Sequence, residues 1–328
     1  MDDAVKRWLI QLLPSTRKTY QSCLFKFFDW LKKSKKMNVT PIEAINENFE
    51  LNKKSKPLEM SKWSFLVLEY INSLKGSPTY KLQVAKVIQS FFKHNGSPLQ
   101  NFSIPITDEF YPPRLDLSLE NVKLILPYLN DLNATIVLCL LYSGMRINEF
   151  LSLKAENIII KGDFIQIPLK RFGKLSRAKI SGSGFTLLGG EALNKLKPYL
   201  KKSGQIFSTT ARSVERAMIS AAKKAGLLIE TEKKTPSNRI IWQVKWGNDL
   251  IETDAHPFHP HALRALFKTE ASHIGIPEEL SEFWMGHAGG IKAVYDKRGT
   301  IHFEDHLTNY KKLVNHFDKE LFGEKKNQ

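Results

Sequence analysis

Cysteine and long apolar runs are what this chain has least of, and each shortage removes a class of protein. Its 328 residues include only two cysteines, Cys23 and Cys139. Each sits in an apolar pattern of helical period, which argues against a disulfide framework and against a thiolate metal site. No apolar stretch approaches the roughly 20 residues needed to span a bilayer. The opening residues, MDDAVKRWLIQLLPS, place two acids before a short apolar run and lack the pattern of a cleavable signal. There is no Walker-type phosphate loop, and no HExxH spacing that would hold zinc. His256 and His259 lie close enough to mimic metal ligands, but nothing around them completes such a set. The expectation is a chain of the reducing, cytoplasmic interior, with no membrane, metal or cofactor.

Acidic side chains are also in short supply. Lys+Arg number 49 against 33 for Asp+Glu, a formal net charge of +16. Residues 1–110 carry 17 basic and 10 acidic side chains and the remainder 32 and 23, so the excess is 7 in one part and 9 in the other. A basic tail would concentrate the charge at one end. Its spread favours a polyanion, above all a nucleic acid, gripped along much of the molecule.

Apolar periodicity divides the chain. Ser15, after Pro14, is placed to cap a helix with Tyr20, Leu24, Phe27, Phe28 and Leu31 along one face. Thr40 before Pro41 marks a second helix and SKWSFLVLEYINSL a third. Tyr80, Val84, Val87, Ile88 and Phe91 line a fourth that ends at Asn95 and Gly96. Residues 1–102 therefore read as a helical bundle. The stretch 103–117 holds prolines without helical period and reads as a linker. In 118–328, Ser118 caps a helix, and an apolar helix runs through Leu141 to Gly144. DFIQIPLK and SRAKISG alternate as a hairpin turning at RFGKL, and helices resume at GGEALNKLKPYL and SVERAMISAAKKAG. NRIIWQVKW reads as one or two further strands, and helix returns from His259. The fold class is mainly α, with a small antiparallel sheet in the second domain.

Four motifs in that second domain carry chemistry. The first, SGMRINE, sets Arg146 directly after an apolar run. A guanidinium in such surroundings requires a carboxylate partner or an anion from outside, and Glu149, three residues on, is the local carboxylate. The second is Lys170 in IPLKRFGK, with Lys174 in the same turn. The third is HPHALR, which puts His261 and Arg264 three apart on one helical face. The last is WMGHAGGIKAVY, with His287 after a glycine and Tyr295 eight residues later. Each has a plain structural alternative: Arg146 as a simple ion pair with Glu149, and His261 as an ordinary packed histidine. Together, two arginines, two histidines and a hairpin lysine suit the grip on a phosphodiester whose oxygens gain charge during attack.

In order and spacing, these motifs over residues 115–300 resemble the tyrosine recombinase/integrase family. The interval from His287 to Tyr295 is eight where nine is common, and the stretch 229–255 is longer than the family pattern requires. The N-terminal bundle resembles the family's core-binding domain only in general character. The resemblance implies two helical lobes clamping double-stranded DNA, with the bundle as the core-binding domain. It implies site-specific recombination through a 3′-phosphotyrosyl intermediate, without metal or nucleotide. Arg146 and Arg264 would hold the scissile phosphate, His261 and His287 would bond its oxygens or assist proton transfer, Glu149 would orient Arg146, and Lys170 would protonate the leaving 5′ oxygen. Lys174 is the alternative lysine. The nucleophile would be Tyr295, with Tyr310 as the alternative. A type IB topoisomerase activity, or a DNA-binding protein without cleavage, are the other readings. Phe303, Leu307, Tyr310, Val314, Phe317 and Leu321 give the last helix an apolar stripe. It would pack on its own domain or dock in a neighbour, in a tetramer on paired DNA sites formed from a free monomer or weak oligomer.

Overall fold

The computed structural model describes residues 2–54, 61–100, 115–169, 184–200, 203–235, 240–287 and 303–323. Lys170, Lys174 and Tyr295, the turn RFGKL, the segment SRAKISG and most of the expected linker lie outside them. The chain divides into two compact units, with the break between residues 111 and 112.

The first unit is helical: α1 (Asp3–Ile10), α2 (Pro14–Ser34), α3 (Pro41–Lys54), α4 (Lys62–Ser73) and α5 (Pro78–His94). The sequence reading passed over α1, whose eight residues are too few to show a period. Its start is fixed by Asp2, which accepts from Ala4 N at 2.8 Å, and it buries Ala4, Val5, Trp8 and Leu9. The expected cap at Ser15 is corrected: α2 begins at Pro14 with Leu13 in the cap position and no side-chain cap. Proline's fixed φ and missing N–H suit the first helical position without one. Trp8, Phe27, Trp63, Phe91 and Phe92 fill the core of this unit.

In the second unit, α6 (Leu119–Ile125) opens with the cap expected at Ser118, and Asn121 returns the bond to make it a capping box. Leu117 is already buried in this unit's core and Leu115 packs against it, so the unit starts before Ser118. Helix α7 (Asp131–Ser143) is buried from Thr135 to Ser143 and forms the centre. A helix apolar on all sides has to be enclosed, and α9 (Gly190–Leu196), α10 (Ala211–Lys224), α11 (Pro260–His273) and a first sheet surround it. That antiparallel sheet is β1 (Ile159–Lys161), β2 (Phe164–Pro168) and β3 (Phe185–Leu188), with Ile165 opposite Leu188 and Pro168 opposite Phe185. The partner of β2 among the described residues therefore starts beyond SRAKISG.

Residues 228–253 form a second sheet, β4 (Leu228–Lys234), β5 (Ile240–Trp246) and β6 (Asp249–Thr253), antiparallel throughout. Here the sequence reading expected one or two strands. The charged run LIETEKK hides β4, because only its Leu228 is buried, opposite Val244.

After α11 come α12 (Glu278–Trp284) and, from Phe303 to Phe322, α13. The apolar stripe of α13 packs within its own unit: Tyr310, Leu313, Val314, Phe317 and Leu321 are buried there, and Phe303 and Leu307 are half-covered. His306, also buried, accepts a hydrogen bond at Nδ1 from Trp284 Nε1 at 3.1 Å. Burial pushes its pKa down to about 4, against a small opposing pull from Asp305. The sign follows directly. The unfolded chain protonates this histidine at about 6.5 and the folded chain only near 4, so its neutral form stabilises fully above pH 6.5. That contribution, about 3 kcal/mol at most, is lost as pH falls through this window. His256, pushed down to about 4 by burial and by His259, acts in the same sense. Urea unfolding from pH 7.5 to 4 should show stability falling on acidification, with a shallower slope in His306→Phe.

Candidate functional site

The end of α7 builds the first part of the site. Gly144 closes the helix in the left-handed conformation, φ +62°, which frees its carbonyl. The chain then turns through Met145 into α8 (Ile147–Leu151), with Arg146 at the cap position. Arg146 Nη1 donates to Glu149 Oε1 at 3.1 Å. The expectation of a guanidinium in apolar surroundings is corrected here: the Arg146 side chain is 46% exposed. The apolar run ends at Gly144, and the cap position lifts Arg146 out of it.

The buried arginine is Arg264, 4% exposed. It projects from α11, whose first turn is capped by His259, with Nδ1 accepting from Ala262 N at 3.1 Å. Arg264 Nη1 donates to Gly144 O at 2.6 Å, and Nη2 to Met285 O at 2.7 Å. Nη2 also lies 2.7 Å from His287 Nε2. Burial, and then the neighbouring Arg146, lower the Arg264 pKa to about 10, while Glu149 and Glu282 oppose this. It remains a cation at neutral pH.

Arg146, Glu149, His261 and Arg264 line one cavity of about 480 Å³, with Asn148, Ser152 and Pro260 among its other walls. His261 is exposed. A smaller cavity beside it is lined by Met145, Glu149, Pro168 and Leu169, so the end of β2 borders the arginine turn. Leu169 N bonds Gly184 O at 2.8 Å, which carries the β2–β3 ladder to the residue before Lys170.

His287 follows Gly286, whose φ of +73° turns the chain back on α12. His287 N bonds Glu282 O at 3.0 Å, and Nδ1 lies 2.5 Å from Glu282 Oε2. Glu282 Oε1 in turn accepts from Lys268 at 2.5 Å. Burial would raise the Glu282 pKa, but the hydrogen bonds and charges of Lys268 and His287 outweigh it and leave the carboxyl below its usual range. The hydrogen bonds that Lys268 donates to Glu282 and Glu278 raise its own pKa. Sequence reasoning missed Glu282 and Lys268. Their one trace was a Lys–Glu pair 14 residues apart across a helix turn, which no motif marks.

Tyr310 is 0% exposed. Its hydroxyl donates to Tyr142 O at 2.7 Å, and its ring meets Trp284 edge-on. Burial raises its pKa well above 10.

Comparison with known proteins agrees with this architecture. The model of the phage integrase family matches residues 116–291. Among solved structures, the Tn1549 transposon integrase in complex with circular intermediate DNA is 12% identical, over 94% of this chain and 99% of that one, with a TM-score of 0.54. XerH site-specific recombinase bound to difH substrate is 14% identical over 91% and 75%, TM-score 0.47. The integrase from mycobacterium phage Brujita is 12% identical over 99% and 94%, TM-score 0.38. Of these three, the first carries the fold likeness. No curated protein matches the chain. The family match covers more than half of the chain, which belongs to the phage integrase family. It is an enzyme of the site-specific recombinase class, and the topoisomerase and binding-only readings are not favoured.

The glycine at the α7 terminus tests the site's construction. A Cβ at Gly144 would lie 2.6 Å from Phe267 Cδ1, and the positive φ resists any L side chain. Gly144→Ala should cost about 1–3 kcal/mol, read by urea unfolding. Because the Gly144 carbonyl holds Arg264, recombination activity should fall further than the loss of folded protein explains.

Proposed function

We propose that the protein cleaves and rejoins double-stranded DNA at specific sites through a 3′-phosphotyrosyl intermediate, in the cell interior where that DNA lies. One observation carries this reading: two guanidinium groups, Arg146 and Arg264, face a single cavity. Like charges brought together raise each other's free energy, and an anion between them relieves it. Arg264 is already anchored to two carbonyls, so the cavity is organised before the anion arrives.

In this reading the scissile phosphate sits between the arginines, with Glu149 steadying Arg146. His261 bonds a nonbridging oxygen from the start of α11, and His287 bonds another. The Tyr295 hydroxyl attacks phosphorus and passes its proton to His261 as the P–O5′ bond breaks. Lys170 gives the leaving 5′ oxygen its proton. Rejoining runs in reverse, with a 5′ hydroxyl attacking and Tyr295 leaving, so the phosphodiester energy is conserved and no nucleotide is consumed. What supports Lys170 over Lys174 is the ladder reaching Leu169, whose side chain would meet a Cβ on Gly286, next to His287, at 3.2 Å. What supports Tyr295 over Tyr310 is the burial of Tyr310 and the prior commitment of its hydroxyl. The basic bundle acts as the clamp's second lobe. On paired sites the assembly is a tetramer. A C-terminal stripe covered within its own unit suits a monomer in the absence of DNA.

Two outcomes test this. Arg146→Ala and Arg264→Ala should each slow cleavage of a nicked DNA substrate by about 100- to 1000-fold, the usual loss for a donor to a developing oxyanion. DNA affinity should largely persist, since many other cations meet the backbone. Near-normal cleavage would remove that arginine from the site. Mass spectrometry of the trapped covalent adduct should place it on Tyr295. Tyr310→Phe should keep forming the adduct at about 1 kcal/mol lower stability; an adduct on Tyr310 would overturn the assignment.

A further inference from the structure

Lys268, Glu282 and His287 form a chain of contacts that ends on Arg264, and neither of its first two members belongs to the motif set. We propose that Glu282, held by Lys268, is a positioning residue that fixes the tautomer and direction of His287, so that Nε2 is the nitrogen presented to Arg264 and the bound anion. The proposal rests on the reading of His287 as part of the phosphate site.

Proton placement follows from what each group can do. A guanidinium has donors and no acceptor. At 2.7 Å from Arg264 Nη2, His287 Nε2 must therefore accept, and the ring proton resides on Nδ1. Nδ1 then donates to Glu282 Oε2 at 2.5 Å. The opposite tautomer would set two N–H donors against each other on one side and a lone pair against a carboxylate on the other. A carboxylate behind an imidazole is a well-tested means of fixing which nitrogen faces a reacting centre.

Glu282 could do this loosely, as an exposed side chain with many rotamers, but three features hold it in place. Its side chain is only 18% exposed. Lys268, from the neighbouring α11, occupies Oε1 and is itself tied to Glu278 Oε1 at 3.0 Å. The turn at Gly286 bonds the His287 backbone to Glu282 O at 3.0 Å, so ring and carboxylate share one fold of the chain. The charged groups around the imidazole among the described residues are Glu282 on α12, and Arg264 and Lys268 on α11.

The arrangement also defines what changes when an anion arrives. A phosphate oxygen at Arg264 competes for the Nη2 donor that His287 now accepts. To bond that oxygen, Nε2 takes up a proton from solvent as the anion enters, and the ring then donates from both nitrogens with Glu282 as its counter-charge. Lys268 keeps Glu282 ionised for that purpose.

Side-chain ¹H–¹⁵N spectra of the full-length protein at pH 8 read the tautomer without DNA. His287, one of nine histidines, is assigned by the signal missing in His287→Ala. The expected state is Nδ1–H in the wild type, with an Nε2–H population appearing in Glu282→Ala. An Nε2–H ring in the wild type overturns the proposal whatever the variants do. Glu282→Gln keeps an acceptor oxygen and should keep the Nδ1–H state, with a cleavage rate between those of wild type and Glu282→Ala. In single-turnover cleavage, Glu282→Ala should lose about 10- to 100-fold, as removal of such supporting partners does, with DNA affinity within about 2-fold. A residue that acts only through His287 adds nothing once the ring is gone, so Glu282→Ala/His287→Ala should be no slower than His287→Ala. Multiplying losses would overturn the proposal. If the wild-type chain formed no adduct at all, the recombinase chemistry would fall while the spectra still decided the tautomer.

Discussion

A buried guanidinium is the constraint around which the second unit is arranged. Removing Arg264 from water would cost several kcal/mol if it were left without partners. The two carbonyls that receive it come from helix ends, Gly144 at the close of α7 and Met285 at the close of α12. Carbonyls at helix ends have no intrahelical partner and carry the negative end of the helix dipole, so they suit a cation. One side chain thus ties α7, α11 and α12 together at the point where the sequence puts its two other marked groups, Arg146 and His287. The contacts that hold the core together therefore also fix the walls of the candidate site.

Much of this was legible in the sequence where local rules apply. Ser118 announced its helix cap, Gly144 its helix end, and the C-terminal stripe its buried face, because each depends on neighbours within four residues. The order of the arginine, HxxR and glycine–histidine motifs placed Arg146, His261 and Arg264 around one cavity. What escaped depended on contacts between distant segments. The burial of Arg264 rather than Arg146 is decided by where α12 ends, and nothing near either arginine encodes that. Lys268 and Glu282 look like ordinary surface charges until two helices set them 2.5 Å apart. In the second sheet β5 was legible, but β4 and β6 were obscured because they are mostly exposed and carry charges, so alternation of apolar residues, the usual sign of a half-buried strand, is weak there.

Tyr310 shows how one residue type supports opposite readings until burial is known. By spacing alone it was both a packing residue and a candidate nucleophile. Its ring lies between Trp284 and Phe164, and its hydroxyl bonds the carbonyl of Tyr142. The Tyr142 hydroxyl in turn donates to Asp318 Oδ1 at 2.8 Å, and the same oxygen accepts from Glu191 N at 3.2 Å. A tyrosine held in this way joins the C-terminal helix to the central helix that ends at the site.

Among the described residues the two hydrophobic cores are built from different side chains: Trp8, Trp63 and Phe91 belong to one, and Tyr142, Phe267 and Trp284 to the other. If each core melts as its own cooperative unit, a calorimetric trace is the sum of two events, and a single van't Hoff analysis would understate the total enthalpy. An anion that bound at the arginine cavity would then add its linkage energy to the second transition. The gap between the two transitions then becomes a thermometer for occupancy of the site.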